Sequence, residues 1–107
     1  MFTAPENINQ AAVLLLESAP AGSQVILFGS HARQTATSFS DADFLVIEPE
    51  VLDRYGEMVR LRRILRPLRI AADVVVVSRF VYENWKDIPN TLLYNAAREG
   101  IDYGIAA

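Results

Sequence analysis

The sequence contains no cysteine and no long hydrophobic run. Without cysteine there are no disulfides and no thiolate metal sites, a composition typical of the reducing interior of a cell. The longest apolar runs, residues 11–16 and 74–77, are far shorter than the roughly 20 residues of a membrane-spanning helix. The first ten residues, MFTAPENINQ, have no basic segment ahead of an apolar one, so no signal peptide is expected. These absences predict a cytoplasmic protein that does not enter a membrane.

An excess of basic charge is also missing. Ten lysine and arginine residues stand against 13 acidic ones, and the formal net charge is −3, so direct DNA binding is not expected. What is present is typical of a globular chain, with 51% hydrophobic and 21% charged residues. The 107 residues are enough for one hydrophobic core and too few for two, which predicts a single domain over residues 1–107.

Helical and strand patterns alternate along the chain. Strands are predicted at residues 25–28, 41–48 and 69–78. Helices are predicted over residues 5–18, 30–33, 51–65 and 87–99, with a short one that Ser78 caps and that ends at Trp85. Gly100 is expected to end the last helix in the left-handed conformation. Alternation of this kind predicts an α/β sandwich in which helices cover a small sheet.

Three aspartates lie where the second and third predicted strands would bring them together. Asp41 and Asp43 are two residues apart on one strand, so their side chains leave the same face about 7 Å apart, and Asp73 interrupts the next strand. If the strands pair, the carboxylates repel one another unless a cation lies among them. Magnesium would resolve this, and two ions would support phosphoryl or nucleotidyl transfer. The alternative is that each acid is an ordinary solvated residue at a strand edge.

A Gly-Ser pair follows the first predicted strand. Gly29 has no side chain to keep a phosphate from the backbone, and Ser30 can offer its hydroxyl and N–H groups to an anion. Arg33 can either bind a triphosphate or tie the loop to an acid. Such turns are common, so the pair is weak evidence by itself. The aspartates on the following strand make it informative.

The segment GSHARQTATSFSDAD joins both features as Gly-Ser, ten residues and Asp-x-Asp. This pattern is similar to the signature of the nucleotidyltransferases of the DNA polymerase beta superfamily. The short length, the later Asp73 strand and the segment NAAREGIDYG resemble the minimal nucleotidyltransferases, or MNT proteins. The resemblance implies a small mixed sheet flanked by helices. It also implies that Gly29 and Ser30 hold the nucleotide triphosphate, and that Asp41, Asp43 and Asp73 bind two magnesium ions.

The same resemblance implies a partner protein. MNT proteins are commonly encoded beside a HEPN-domain protein, and several such pairs behave as toxin–antitoxin modules. In some pairs the MNT antitoxin transfers AMP from ATP to a tyrosine of the HEPN ribonuclease. We expect a partner to supply the acceptor, because 107 residues leave little room for an acceptor-binding domain. For the same reason a free-standing small-molecule transferase is disfavoured. The alternative is an inactive fold that neutralises its partner by occlusion, and a homodimer and a hetero-oligomer both stay open.

Three further features accompany the motif. Gln34 stands where the family often has glycine; if this position needs a positive φ, the loop is strained by about 1 kcal/mol or more. The arginines of RLRRILRPLR form a basic cluster that is a solvated helix face, a partner surface or, less favoured, an RNA contact. Tyr82, Trp85 and Tyr94 are expected in the core or at an interface. The single histidine, His31, is expected to be an exposed loop residue rather than a catalytic base.

Overall fold

The computed structural model describes residues 5–37 and 40–107, which form a mixed sheet with helices on both faces. The helices are α1 (Pro5–Ser18), α2 (Ser30–Arg33), α3 (Arg54–Leu65), α4 (Arg79–Trp85) and α5 (Leu92–Glu99), and a 3-10 turn (Arg66–Leu68) follows α3. The strands are β1 (Gln24–Phe28), β2 (Ala42–Glu48), β3 (Ala72–Ser78) and β4 (Ile101–Ile105). Within the described ranges no helix combines the length and apolar character that crossing a membrane requires.

The four strands lie in the order β3-β2-β1-β4. β1 pairs antiparallel with both β2 and β4, whereas β2 and β3 are parallel neighbours. Parallel neighbours require a crossover connection, and α3 supplies it while packing against β3 and α1. The mixed sheet flanked by helices confirms the predicted fold class. It also places the starts of β2 and β3 at the same edge of the sheet.

The side chains of β2 alternate between two buried faces of the sheet. Ala42, Phe44 and Val46 belong to the core formed with α1 and α3, and Leu45 and Ile47 belong to the core formed with α4 and α5. Burial on both sides explains why this strand is an almost continuous apolar run. It also fixes the register, because a slip of one residue would exchange the two faces.

The C-terminal region differs from the sequence prediction. α5 begins after Thr91, whose hydroxyl accepts a hydrogen bond from the Tyr94 N–H at 3.2 Å, and not at residues 87–89. Gly100 is extended (φ −71°, ψ 157°) rather than left-handed, because the chain runs directly from α5 into β4. A Cβ atom at Gly100 would collide with the Ala96 carbonyl and with Ile26, so close packing accounts for this glycine. The sequence prediction also lacks β4, which pairs with β1 at the edge of the sheet.

Two other elements begin later than predicted. α3 begins at Arg54 rather than at residue 51, because the Asp53 carboxylate caps the helix by accepting a hydrogen bond from the Gly56 N–H at 3.0 Å. β3 begins at Ala72 rather than at residue 69, since Arg69 has a left-handed backbone (φ 52°) that ends the 3-10 turn. The remaining predicted elements agree with the structure to within one residue.

The aromatic residues near the C-terminus separate into core and surface. Tyr82 is buried in the core formed with α5, as expected for a core anchor. Tyr94 is half-buried and carries the Arg98 guanidinium 4.6 Å from its ring centroid. Trp85 is half-exposed at the end of α4. Of the two predicted locations, core or interface, Tyr82 occupies the core, and an interface role of Trp85 and Tyr94 stays a prediction.

Candidate active site

Gly29, in the turn after β1, lies against the Asp43 side chain of β2. Its backbone has φ 77° and ψ −155°, a conformation that residues with a Cβ atom rarely adopt. A Cβ at Gly29 would lie 2.5 Å from Oδ2 of Asp43, because Phe28 and Asp43 are paired across β1 and β2. The absence of a side chain therefore brings the Gly-Ser turn and the Asp43 carboxylate into direct contact.

Gln34 ends α2 in the left-handed conformation, with φ 61° and ψ 30°. The preceding turn is closed by backbone hydrogen bonds from Arg33 N–H to the Gly29 carbonyl (3.1 Å) and from Thr35 N–H to the Ser30 carbonyl (2.9 Å). These bonds hold Gln34 where a residue with a Cβ costs about 1 kcal/mol or more. The sequence left open whether this position needs a positive φ; the backbone of Gln34 does have one, so the residue is strained.

Asp43 and Asp73 are direct partners in the parallel pairing of β2 and β3. Residues in register on neighbouring strands point to the same face, and Asp41 lies immediately before β2. The pKa of Asp43 is raised above its ordinary value, first by burial and then by the negative charges of Asp73 and Asp41, while His31 and Arg33 act in the opposite direction. The strand pairing thus places Asp43 beside Asp73, and Asp41 is close enough for its charge to raise the pKa of Asp43. The strand pairing on which the sequence interpretation depended is therefore present.

Asp73 has a partner that sequence reasoning missed. Its Oδ1 accepts hydrogen bonds from the Arg62 guanidinium and from the Val74 N–H (3.1 Å for the latter). Arg62 lies in the last turn of α3, and the two side chains are 47% and 49% exposed. Asp73 is therefore neither buried nor unpaired, although it interrupts an apolar strand. No local spacing signals this contact, because it arises from the path of the α3 crossover.

The side chains of the turn also include Arg33 and His31. Each of them contacts a residue other than the three aspartates. The Arg33 guanidinium lies 3.4 Å from the Glu99 carboxylate in an exposed ion pair, which corresponds to the second alternative drawn from the sequence, a tie between the loop and an acid. His31 is half-exposed, with Nε2 3.1 Å from the Ser40 carbonyl oxygen. Both side chains brace the loop between β1 and β2 in this structure.

A cavity of about 360 Å³ borders the same turn. His31 and Gln34 line it on one side, Ile8 and Asn9 of α1 on another, and Tyr103 of β4 on a third. The Tyr103 hydroxyl donates a hydrogen bond to Asn9 Oδ1 at 2.7 Å. Sequence reasoning does not identify this cavity, since β4 is absent from the sequence prediction.

Asp41, Asp43 and Asp73 have the carboxylate groups that a hard divalent cation prefers. In this structure, however, their side chains do not converge on one point where an ion could bind. Carboxylate oxygens are the donors that magnesium prefers. The pKa of Asp43 is raised first by burial and then by the neighbouring negative charges, and a cation would relieve the second of these. Across residues 5–37 and 40–107, however, no three acidic or histidine side chains are arranged to hold one ion. The contact between Asp73 and Arg62 accounts for one carboxylate that is directed elsewhere.

Solved structures with this fold include toxin–antitoxin assemblies. One is a toxin–antitoxin crystal structure with AMP-PNP (TM-score 0.62, 22% identity, 90% of this chain and 71% of that chain). Another is a tri-AMPylated HEPN toxin of Shewanella oneidensis in complex with an MNT antitoxin (TM-score 0.55, 20% identity, 91% and 68%). A candidate nucleotidyltransferase from Sulfolobus solfataricus is similar over 94% of this chain and 85% of its own (TM-score 0.59, 17% identity).

Sequence comparison gives the family directly. No curated protein matches the chain. The family model of the nucleotidyltransferase domain matches residues 10–98, which include the Gly-Ser turn, all three aspartates and the α3 crossover. This match confirms the nucleotidyltransferase part of the resemblance drawn from GSHARQTATSFSDAD. The chain belongs to the nucleotidyltransferase domain family.

Proposed function

We propose that this protein is a magnesium-dependent nucleotidyltransferase that transfers AMP from ATP to a HEPN-type partner protein, as the antitoxin of a toxin–antitoxin module. The observation that carries the proposal is the close approach of Gly29 to Asp43, the residue that pairs with Asp73 across β2 and β3. A turn suited to phosphates thus adjoins carboxylates suited to magnesium, and nucleotidyl transfer needs both in one place.

Each residue of the site has a role in this proposal. Gly29 and Ser30 bind the triphosphate through the backbone and the serine hydroxyl, because the turn offers N–H groups without a side chain in the way. Arg33 adds charge-assisted hydrogen bonds if it leaves Glu99. Asp41, Asp43 and Asp73 hold magnesium, which when bound neutralises phosphate charge and favours in-line displacement.

The transfer itself exchanges one phosphorus–oxygen bond for another. The oxygen of the acceptor hydroxyl forms a bond to the α-phosphorus of ATP, and the bond between that phosphorus and the bridging oxygen of the β-phosphate breaks, so pyrophosphate leaves. The acceptor proton passes to a carboxylate, for which Asp73 is the candidate because it lies beside Asp43 in the strand pairing and its side chain is about half-exposed. Ser30 orients the phosphates relative to this carboxylate.

The structural neighbours support the nucleotide and the partner in this proposal. One neighbouring structure contains AMP-PNP, and another contains an AMPylated HEPN toxin bound to an MNT antitoxin. The chemistry of those proteins is their own, and its transfer to this chain rests on the shared fold and on the matching motif.

Intact mass of a co-expressed HEPN-type partner tests the proposal. With ATP and magnesium, the partner is expected to gain one or more AMP masses when the wild-type protein is present. The double variant Asp41→Asn/Asp43→Asn should give no gain, while Asp87→Asn, an exposed aspartate in the turn after α4, should behave like wild type. Equal mass gain with wild type and the double variant would overturn the proposal.

A second candidate is a nucleotidyltransferase fold that neutralises its partner by occlusion alone. Two observations favour it: the strained Gln34 in the phosphate turn and the Arg62 guanidinium on Asp73. In that case the Asp41→Asn/Asp43→Asn variant binds and inhibits the partner as well as wild type does, with no change in the partner's mass. Loss of inhibition together with loss of the AMP adduct would favour the enzyme.

A further inference from the structure

Arg62 lies directly on one of the candidate metal ligands. Its guanidinium donates a hydrogen bond to Oδ1 of Asp73, across 11 positions of sequence, from the last turn of the crossover helix α3. The contact joins the end of α3 to the start of β3, where Asp73 is in register with Asp43. An arginine is therefore part of the acidic edge, although neither the Gly-Ser turn nor the Asp-x-Asp strand contains it.

A guanidinium and a divalent cation compete for the same carboxylate. While Oδ1 of Asp73 accepts from Arg62, this oxygen is not free to bind a metal ion together with Asp43. The competition is uneven, because both side chains are about half-exposed and ion pairs of this kind contribute little free energy in water. A divalent cation held by two or three carboxylates can therefore displace the guanidinium.

The displaced guanidinium stays close to the phosphates. Arg62 is tethered to α3, which packs against β3, so its head group remains near the edge at which Asp43 and Asp73 meet. A planar guanidinium matches phosphate oxygens in a two-pronged geometry and keeps its charge at any ordinary pH. A nucleotide bound through the metal at this edge would present phosphate oxygens to it.

We infer that Arg62 is an exchangeable counter-ion: it neutralises Asp73 before the metal ion binds, and it moves to the nucleotide phosphates afterwards. The inference rests on the proposed function, since it requires metal and nucleotide at this edge. It assigns Arg62 as a positioning residue that couples the binding of the two ligands. Without the metal ion, Arg62 is paired with Asp73. With the metal ion bound, the same arginine binds the phosphates and increases the affinity for the nucleotide.

Arg63 offers a matched control on the same helix turn. It is the next residue of α3, it is exposed, and it points about 100° away around the helix axis. Among the described residues its side chain takes part in no ion pair. Arg62→Gln and Arg63→Gln remove the same charge from the same surface, so a general electrostatic effect would change both variants alike.

Manganese serves as the metal probe, with free Mn²⁺ measured by electron paramagnetic resonance. Without nucleotide, Arg62→Gln is expected to bind Mn²⁺ about two- to fivefold more tightly than wild type, because the competitor is gone. In the presence of saturating Mn²⁺, calorimetry should show that the same variant binds ATP about tenfold more weakly. Arg63→Gln should match wild type in both measurements, and Arg62→Lys should lie between.

The possible results separate the inference from the proposed function. If wild type binds Mn²⁺ and ATP, but Arg62→Gln and Arg63→Gln have equal affinities for both, the inference is wrong and the proposed function stands. If tighter Mn²⁺ binding occurs without weaker ATP binding, the transfer of Arg62 to the phosphates is wrong. If wild type binds neither ligand, both proposals fail. Thermal unfolding verifies the fold of each variant, and Arg62→Lys decides the question if Arg62→Gln does not fold.

Discussion

At the residue scale, two positions of the turn after β1, Gly29 and Gln34, have backbones in the positive-φ region for different reasons. Gly29 is a glycine because the Asp43 carboxylate occupies the space in which a Cβ would lie. Gln34 has a full side chain at φ 61° and carries the strain. The residue type at position 29 is thus constrained by the contact with Asp43. At position 34, only the shape of the turn disfavours a residue with a Cβ.

Replacing Gly29 by alanine is expected to damage both stability and the site. The new Cβ would lie 2.5 Å from Asp43 Oδ2 on a backbone with φ 77°, so Asp43 must move away from the turn. The matched control is Gly104→Ala, which has the same kind of backbone (φ 97°) with nothing within 4 Å of the new Cβ. Calorimetry should show loss of ATP binding for Gly29→Ala and unchanged binding for Gly104→Ala. Equal ATP affinities in the two variants would contradict the claim that the close approach of Gly29 to Asp43 is needed for ATP binding.

Replacing Gln34 by glycine is expected to stabilise the protein by about 0.5–1 kcal/mol. Glycine adopts φ 61° without the steric cost of a Cβ, and this gain exceeds its larger entropy in the unfolded chain. Urea unfolding measures the difference. The control, Thr35→Gly, changes the next residue of the turn, whose φ is not positive, and it should not be stabilising. A Gln34→Gly protein less stable than wild type would show that the side chain has a role beyond its backbone.

At the element scale, the sequence predicts two kinds of element well. These are strands that are buried on both faces and helices with a strong periodicity of hydrophobic residues. β2 and β3 are apolar because helices cover both faces. The sequence indicated that Asp73 would lie beside the other acids if the two strands pair, and the parallel register places it opposite Asp43. The prediction fails for β4, which has exposed isoleucines at its ends and a glycine inside it. It fails for Arg62 too, since the path of a crossover helix is a tertiary property.

The far end of β2 has a buried acid outside the candidate active site. Glu48 is 3% exposed, and its carboxyl group shares a hydrogen bond with Glu57. Its Oε2 has no hydrogen-bond partner among the residues that the structure describes. Burial and Glu57 raise the pKa of Glu48 to about 8. The pKa of Glu57 is lowered, chiefly because Arg60 donates hydrogen bonds to both of its oxygens at 2.6 and 2.9 Å. Glu48 is thus the protonated member of the pair at neutral pH.

Stability is expected to fall as the pH rises from about 4.5 to about 8. Over this range the folded protein keeps the Glu48 proton and the unfolded chain loses it, so folding takes up a proton and becomes less favourable at higher pH. The slope is at most about 1.4 kcal/mol per pH unit for one proton. Urea unfolding at several pH values should show this slope in wild type and in the exposed control Glu50→Gln, and a flatter profile in Glu48→Gln. Identical slopes in all three proteins would contradict the buried, protonated Glu48.

At the scale of the whole molecule, one crossover assembles the candidate site. α3 makes β2 and β3 parallel neighbours, which places Asp43 beside Asp73, and its last turn carries the arginine that neutralises Asp73. The antiparallel return from β1 to β2 brings Gly29 to the same carboxylates. Residues that are 44 positions apart, Gly29 and Asp73, thus border one sheet edge. The acids and the phosphate turn form one unit only through this topology.

Magnesium-dependent ATP binding tests the central claim most directly, because the claim is that the phosphate turn and the acids form one nucleotide site. By calorimetry, wild type should bind ATP with magnesium and lose at least about tenfold in affinity, roughly 1.4 kcal/mol, when the metal is chelated. Asp43→Asn should bind ATP weakly in both conditions, while Asp87→Asn should match wild type. An ATP affinity that changes neither with chelation nor with Asp43→Asn would contradict the account.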